Sequence, residues 1–237
     1  MADHVAPAAP QQPMAPMSAA SMVDVMQMRD DAAFGMVQVD QLEHAIDGSG
    51  AAAWELEGWY GQDVDKLWLR SEGERESGNL DARTELFWDH AFAGFWDWQF
   101  GARHDSGLGR TRDWAAFGVQ GLAPYWIQIE ATAYLGEQGR TAARLRAEYE
   151  LLLTQRLVLQ PEFELNLYGR SDVQRDFGSG LSDAEFGLRL RYEIRREFAP
   201  YIGVVWAHRF GDAADYARAA GRDAADAQLV VGLRMWF

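Results

Sequence analysis

From Phe34 onward, apolar and polar positions alternate with a period of two, the pattern of strands that face a different environment on each side. Residues 157–168 are the clearest case. Leu157, Leu159, Phe163, Leu165 and Leu167 share one parity, while Gln160, Glu162, Glu164 and Asn166 share the other. Residues 183–194 set Ala184, Phe186, Leu188, Leu190, Tyr192 and Ile194 against Asp183, Glu185, Arg189, Arg191 and Glu193. Residues 125–135 set Tyr125, Ile127, Ile129, Ala131, Ala133 and Leu135 against Gln128, Glu130 and Thr132. The pattern predicts twelve strands, near 35–46, 51–61, 65–76, 79–91, 94–105, 112–122, 125–136, 139–152, 156–168, 182–194, 198–210 and 227–237. These exceed the roughly five or six residues usual in soluble sheets and reach the roughly nine to eleven that a membrane strand needs.

The connections alternate in kind. Gln62–Val64, Phe92–Ala93, Ala123–Pro124, Leu153–Gln155 and Arg195–Glu197 are short turns. Ser106–Thr111, Gly169–Leu181 and Gly211–Asp226 are long and fall on the opposite side. Short turns on one side, long loops on the other and an even strand count predict a transmembrane antiparallel up-and-down β-barrel. The last segment, Gln228–Phe237, alternates and ends on an aromatic residue, as terminal strands of such barrels do. Leu229, Val231, Leu233, Met235 and Phe237 are expected to face lipid, and Gln228 and Arg234 the lumen. The ten Trp, eight Tyr and twelve Phe suit aromatic girdles at the two interfaces.

Composition narrows the picture. The 237 residues include no cysteine, which excludes disulfides and thiolate sites and fits an oxidising compartment. The net charge of −14 repels nucleic acid and attracts cations. No apolar run is long enough for a membrane helix, and the mean hydropathy of −0.31 is no objection to a barrel, since only alternate residues touch lipid. Met1-Ala2-Asp3-His4 has neither a basic start nor an apolar core, so a processed form with an added Met1 is expected.

Residues 1–33 form a separate unit, a Met/Ala/Pro-rich segment without aromatics, expected to be a flexible periplasmic tail ahead of the barrel at 34–237. It holds His4 and Met14, Met17, Met22, Met26 and Met28 besides Met1. Either these methionines are incidental to a flexible tail, or they offer soft thioether ligands to Cu(I).

Several stretches resemble the bacterial copper resistance protein B family. They include Asp65-Lys66-Leu67-Trp68-Leu69-Arg70-Ser71-Glu72-Gly73-Glu74, Gly121-Leu122-Ala123-Pro124-Tyr125 and Leu152-Leu153-Thr154-Gln155-Arg156-Leu157-Val158-Leu159-Gln160-Pro161. The longest runs from Gly178-Ser179-Gly180-Leu181-Ser182-Asp183 through Gly187–Glu193 to Arg196-Glu197-Phe198-Ala199-Pro200-Tyr201. Asp215-Tyr216-Ala217 and Trp236-Phe237 also match. The resemblance spans nearly all of residues 34–237. It implies a bacterial outer-membrane barrel of copper homeostasis and resistance, with copper ion, Cu(I) or Cu(II), as the bound species. Such tails are often rich in His and Met repeats; this one has a single histidine, His4.

Parity directs many charges inward. The acids are Glu55, Glu57, Glu72, Glu74, Asp81, Glu85, Asp97, Glu130, Glu148, Glu150, Glu162, Glu164, Asp183, Glu185 and Glu193. The bases are Arg70, Arg83, Arg103, Arg144, Arg146, Arg189, Arg191 and Arg234. One reading is an interior salt-bridge network that fixes the barrel. The other concerns the ensemble: acids exceed bases, so the lumen forms a path for cations. On the first strand Met36, Gln38, Asp40 and His44 share a parity, which makes Met36, Asp40 and His44 candidate copper ligands. His104 and His208 either ring the mouth or lie in the outer belt, and His90 shares parity with Leu86 and Trp88. No phosphate loop, His-Glu-x-x-His or Gly-x-Ser-x-Gly motif occurs, so no enzyme is expected. Two functions stay open: passage of copper across the outer membrane, or a closed barrel that sequesters copper or docks a periplasmic copper-carrier protein.

Overall fold

The computed structural model describes residues 32–46, 48, 50–76 and 78–237, residue 76 by its backbone only. Its strands are β1 (Phe34–Ala45), β2 (Ala52–Gly61), β3 (Asp65–Glu76), β4 (Asn79–Ala93), β5 (Trp96–Ser106), β6 (Arg112–Ala123), β7 (Ile127–Gly136), β8 (Thr141–Glu148), β9 (Leu151–Leu152), β10 (Leu157–Tyr168), β11 (Gly180–Tyr192), β12 (Phe198–Arg209) and β13 (Ala225–Trp236). All neighbours are antiparallel, and β13 pairs back onto β1 to close the sheet. The amide and the carbonyl of Phe237 both bond Val37, at 2.9 and 3.1 Å, so the terminal residue itself belongs to the seam.

β8 and β9 are two pieces of one strand against β10, so the barrel has twelve staves, as the alternation predicts. The break has a simple cause. Register on either side of it places Pro161 opposite Tyr149. Proline has no N–H to give the ladder, and only the bond from the Tyr149 amide to the Pro161 carbonyl, at 3.1 Å, survives there.

Besides a register shift at the β4–β5 turn, between Ala91 and Ala93, bulges in β1 and β11 reset the alternation within the staves. In β1 the register against β2 shifts between Val39 and Gln41, which makes Asp40 an extra residue. Gln38 and Asp40 face inward, and so do Gln41, Glu43 and Ala45, while Leu42 and His44 turn outward. This corrects the predicted line of donors: His44 does not share a face with Asp40, because a one-residue insertion inverts every later side chain. In β11 the shift opposite Asn166 and Leu167 makes Ser182 the extra residue, and it is buried.

The outer wall carries exposed Leu69, Leu86, Phe100, Phe117, Leu145, Phe163, Ile202 and Leu229. In a water-soluble protein so large an apolar surface would need a partner; around a barrel it is the band that touches lipid. Exposed Tyr60, Phe95, Tyr125, Trp126 and Phe237 gather at the end of the short turns, where amphipathic rings suit the membrane interface. Inside, Phe87, Trp114, Tyr134 and Tyr168 form a buried cluster on one side of the lumen. The long loops fold over the other end. The last contains a helix, α1 (Gly211–Ala219), which the alternation does not reveal. Phe177 stacks on Tyr168 with ring centres 3.9 Å apart, and buried Arg175 donates to the Leu108 carbonyl at 2.8 Å and to Asp81 at 2.6 Å.

Leu86 stands midway along β4 on the lipid face. Leu86→Arg should cost about 2–4 kcal/mol, the penalty for a cation near the bilayer midplane. Urea unfolding of the barrel refolded in lipid checks this, with an unchanged midpoint as the contrary result.

Candidate functional site

The lumen is built by the inward residues of every stave, and its charges meet across the bore. Arg146 on β8 reaches Glu55 on β2, a stave on the opposite side of the ring. The same guanidinium lies 2.8 Å from Glu162 on β10, 3.7 Å from Asp40 on β1 and 3.8 Å from Glu148. Arg144, also on β8, contacts Glu72 on β3 at 2.6 Å and Glu164 on β10 at 2.7 Å. Arg189 on β11 contacts Glu43 on β1 at 2.5 Å and Glu162 at 2.7 Å. These contacts form a bolt of guanidinium and carboxylate groups across the middle of the barrel.

Like charges also sit directly opposite one another in register. Glu55 faces Glu72, and Glu148 faces Glu162. Such pairs repel, and the arginines between them offset that cost. Arg83 takes the second face of Glu72 at 2.8 Å, and Arg70 holds Glu130 at 2.8 Å, with Glu57 at 3.9 Å. Buried Glu85 accepts from the Tyr134 hydroxyl at 2.7 Å and lies 3.9 Å from Arg144.

Between the bolt and the long loops lies a cavity of about 1010 Å³, whose lining holds eight acids, Glu43, Asp183 and Glu185 among them, against the five bases Arg83, Arg175, Arg189, Arg209 and Arg222. Glu164 faces Glu185 in register, a like-charge pair with Arg144 on only the first member. Asn166 bridges Glu164 and Asp183, donating to each at 2.8 Å. Acids outnumber bases on this wall, so the vestibule carries negative potential. At the other end of the lumen, Arg234 ties Asp40 to Glu150, each at 2.7 Å, and Arg191 also holds Glu150 at 2.7 Å.

The candidate copper ligands do not converge. Met36 is half-buried beside Trp59 in register. Asp40 is committed to Arg234 and accepts from Gln38 at 2.8 Å. His44 points outward. Asp97 is on the lumen face close to the short turns. His4, Met14, Met17, Met22, Met26 and Met28 lie outside the described residues. Among the described residues, no three or more His, Cys, Asp or Glu side chains come together to hold a metal. The described histidines are all on the outer wall: His90 contacts Asp65 at 2.9 Å, His104 contacts Asp113 at 2.6 Å, and His208 packs on Phe210. Glu43, Asp89 and Asp105 are lumen acids absent from the parity reading. Glu43 was hidden by the bulge, whereas Asp89 shares the parity of Asp81 and Glu85 and was legible.

A closed antiparallel barrel with an apolar outer wall and a charged interior defines an outer-membrane β-barrel protein. Two solved porins share the fold. The NanC porin superposes with a TM-score of 0.56 at 14% identity over 85% of this chain and 99% of that one. The KdgM porin gives 0.50 at 12% identity over 87% and 99%. The family described as copper resistance protein B precursor matches residues 33–237. The copper resistance protein B homolog of Pseudomonas syringae pv. tomato is 51% identical over 241 residues, covering 98% of this chain and 82% of that protein. The copper resistance protein B of Escherichia coli is 44% identical over 212 residues, covering 89% and 72%. This chain belongs to the copper resistance protein B family.

Arg146 neutralises several carboxylates at once, and removing one partner of a buried ion pair strands the others. Arg146→Met should therefore destabilise the barrel by about 3–5 kcal/mol. Equilibrium unfolding in micelles measures the loss, and a change below about 1 kcal/mol would show that lumen water already screens the bolt.

Proposed function

We propose that the barrel binds copper ions in its acidic lumen and passes them across the outer membrane. The observation that carries this reading is the continuous excess of carboxylates along the lumen wall, from Asp183 and Glu185 in the vestibule to Asp97 near the short turns. A cation entering from the long-loop side loses part of its hydration to these groups and is drawn toward the bolt. There, carboxylates already held by arginine exchange partners, so the ion moves by displacing guanidinium groups rather than by lodging in one tight cage. Weak, multiple sites suit conduction, because an ion that binds too tightly does not leave. Copper is cargo in this scheme, and no chemical step is assigned to the protein.

Copper uptake into proteoliposomes tests the reading. Asp183→Asn combined with Glu185→Gln should lower flux severalfold, while Arg146→Gln combined with Glu55→Gln should raise ionic conductance by loosening the bolt. Unchanged flux in the first variant would overturn passage through the acidic wall.

The bolt itself favours a second reading, in which the lumen stays shut and the protein sequesters copper through its first 33 residues or docks a periplasmic copper carrier. Deleting residues 1–33 and counting bound copper separates the two. Under the second reading bound copper falls to the level of the barrel alone; full retention shows that the segment is not the store.

A further inference from the structure

Asp89 on β4 is a buried acid that the bolt leaves unmatched. Its side chain has no solvent exposure. Oδ2 accepts from Gln120 Nε2 at 2.7 Å and from Gln99 Nε2 at 3.2 Å. Oδ1 is enclosed and has no hydrogen-bond partner. Both donors are neutral amides. The nearest cations are directed elsewhere. Arg70 donates to Gln120 at 2.7 Å and to Glu130 at 2.8 Å. Lys66, opposite Asp89 in register, donates to the Asp63 carbonyl at 3.2 Å. A buried carboxylate without a positive partner is costly, and a free oxygen is where such a partner would attach.

A second acid stands beside it. Gln99 faces Asp89 across β4 and β5. Asp97, two residues before Gln99 on the same face, is therefore a diagonal neighbour of Asp89, within the roughly 7–8 Å that separates such positions. Asp97 also faces Gln120 directly. Two carboxylates thus occupy neighbouring lumen positions near the short turns, beyond the bolt from the vestibule, with the Gln99 amide donating to one of them.

We propose that Asp89 and Asp97, with the Gln99 amide holding Asp89 in place, form a cation site at the short-turn end of the lumen, and that it takes a divalent ion with a preference for oxygen ligands. Of the two copper states, this donor set suits Cu(II); the soft thioether and thiolate groups that select Cu(I) are absent from it. The site deepens the passage reading by naming the class of ion that leaves the bolt.

The test is equilibrium binding of Mn(II), followed by electron paramagnetic resonance, to the full chain folded in detergent micelles, with Cu(II) as competitor. Asp89→Asn and Asp97→Asn should each weaken the tightest class of Mn(II) binding by about tenfold or more, the scale on which even outer partners of a metal site act. Cu(II) should displace Mn(II), and Lys66→Met should tighten binding by removing a nearby positive charge. Should Asp89→Asn fail to fold, judged by loss of its heat-modifiable gel mobility, Asp97→Asn decides. Isotherms of the Asp-to-Asn variants that overlay the unaltered protein would overturn the site and leave Asp89 carrying a proton. Binding in micelles does not depend on flux, so this result and the proteoliposome result can fail separately.

Discussion

Hydrocarbon offers no hydrogen bonds, so every backbone amide in the membrane must find its partner within the chain. In this protein that demand is met at one seam, where β13 pairs with β1 and Phe237 bonds Val37. An open edge there would leave a row of unpaired amides facing lipid. Closure then dictates the rest. With no edge to hide and no second sheet to pack against, the side chains have two destinations, lipid or lumen, and each residue's charge decides between them.

That sorting concentrates charge. The acids excluded from the lipid face are pressed into one bore, often opposite one another on adjacent staves. Glu55 with Glu72 and Glu148 with Glu162 would drive their staves apart if left alone. Arg146 and Arg144 reach across the ring to join these pairs, so the interior is held by contacts between distant parts of the chain. The stability of the barrel and the electrostatics of its lumen therefore rest on the same set of groups. A wall rich enough in carboxylate to draw cations is also one that needs guanidinium to hold together, and the bolt is the meeting of the two requirements.

The arrangement is uneven along the axis. In the middle, the carboxylates of the bolt are held by arginine, although acids still outnumber bases. The vestibule under the long loops keeps acids such as Glu185 beyond what its arginines neutralise, and at the short-turn end Asp89 meets only amides. Acids without an arginine partner thus bracket a centre whose acids are held by arginine. Under the proposed passage of copper, such a profile would receive a cation at either end and make the centre the place where movement is decided.

The strand count, the side of the long loops, the lipid-facing residues of β13 and the inward course of the eight lumen arginines were all legible in the alternation, because a stave in contact with lipid on one side has no freedom to vary that pattern. The family was legible too, from the matched stretches between Asp65 and Phe237. What the alternation could not carry was any event that adds a residue without changing composition. The bulge at Asp40 sends His44 outward and Glu43 inward, and parity counting passes over it. Nor does alternation say which groups meet across the bore. Glu55 and Arg146 are 91 residues apart, and only closure into a ring of twelve staves sets them face to face. Local period decides which side of the wall a residue takes; the curvature and register of the closed barrel decide its partner.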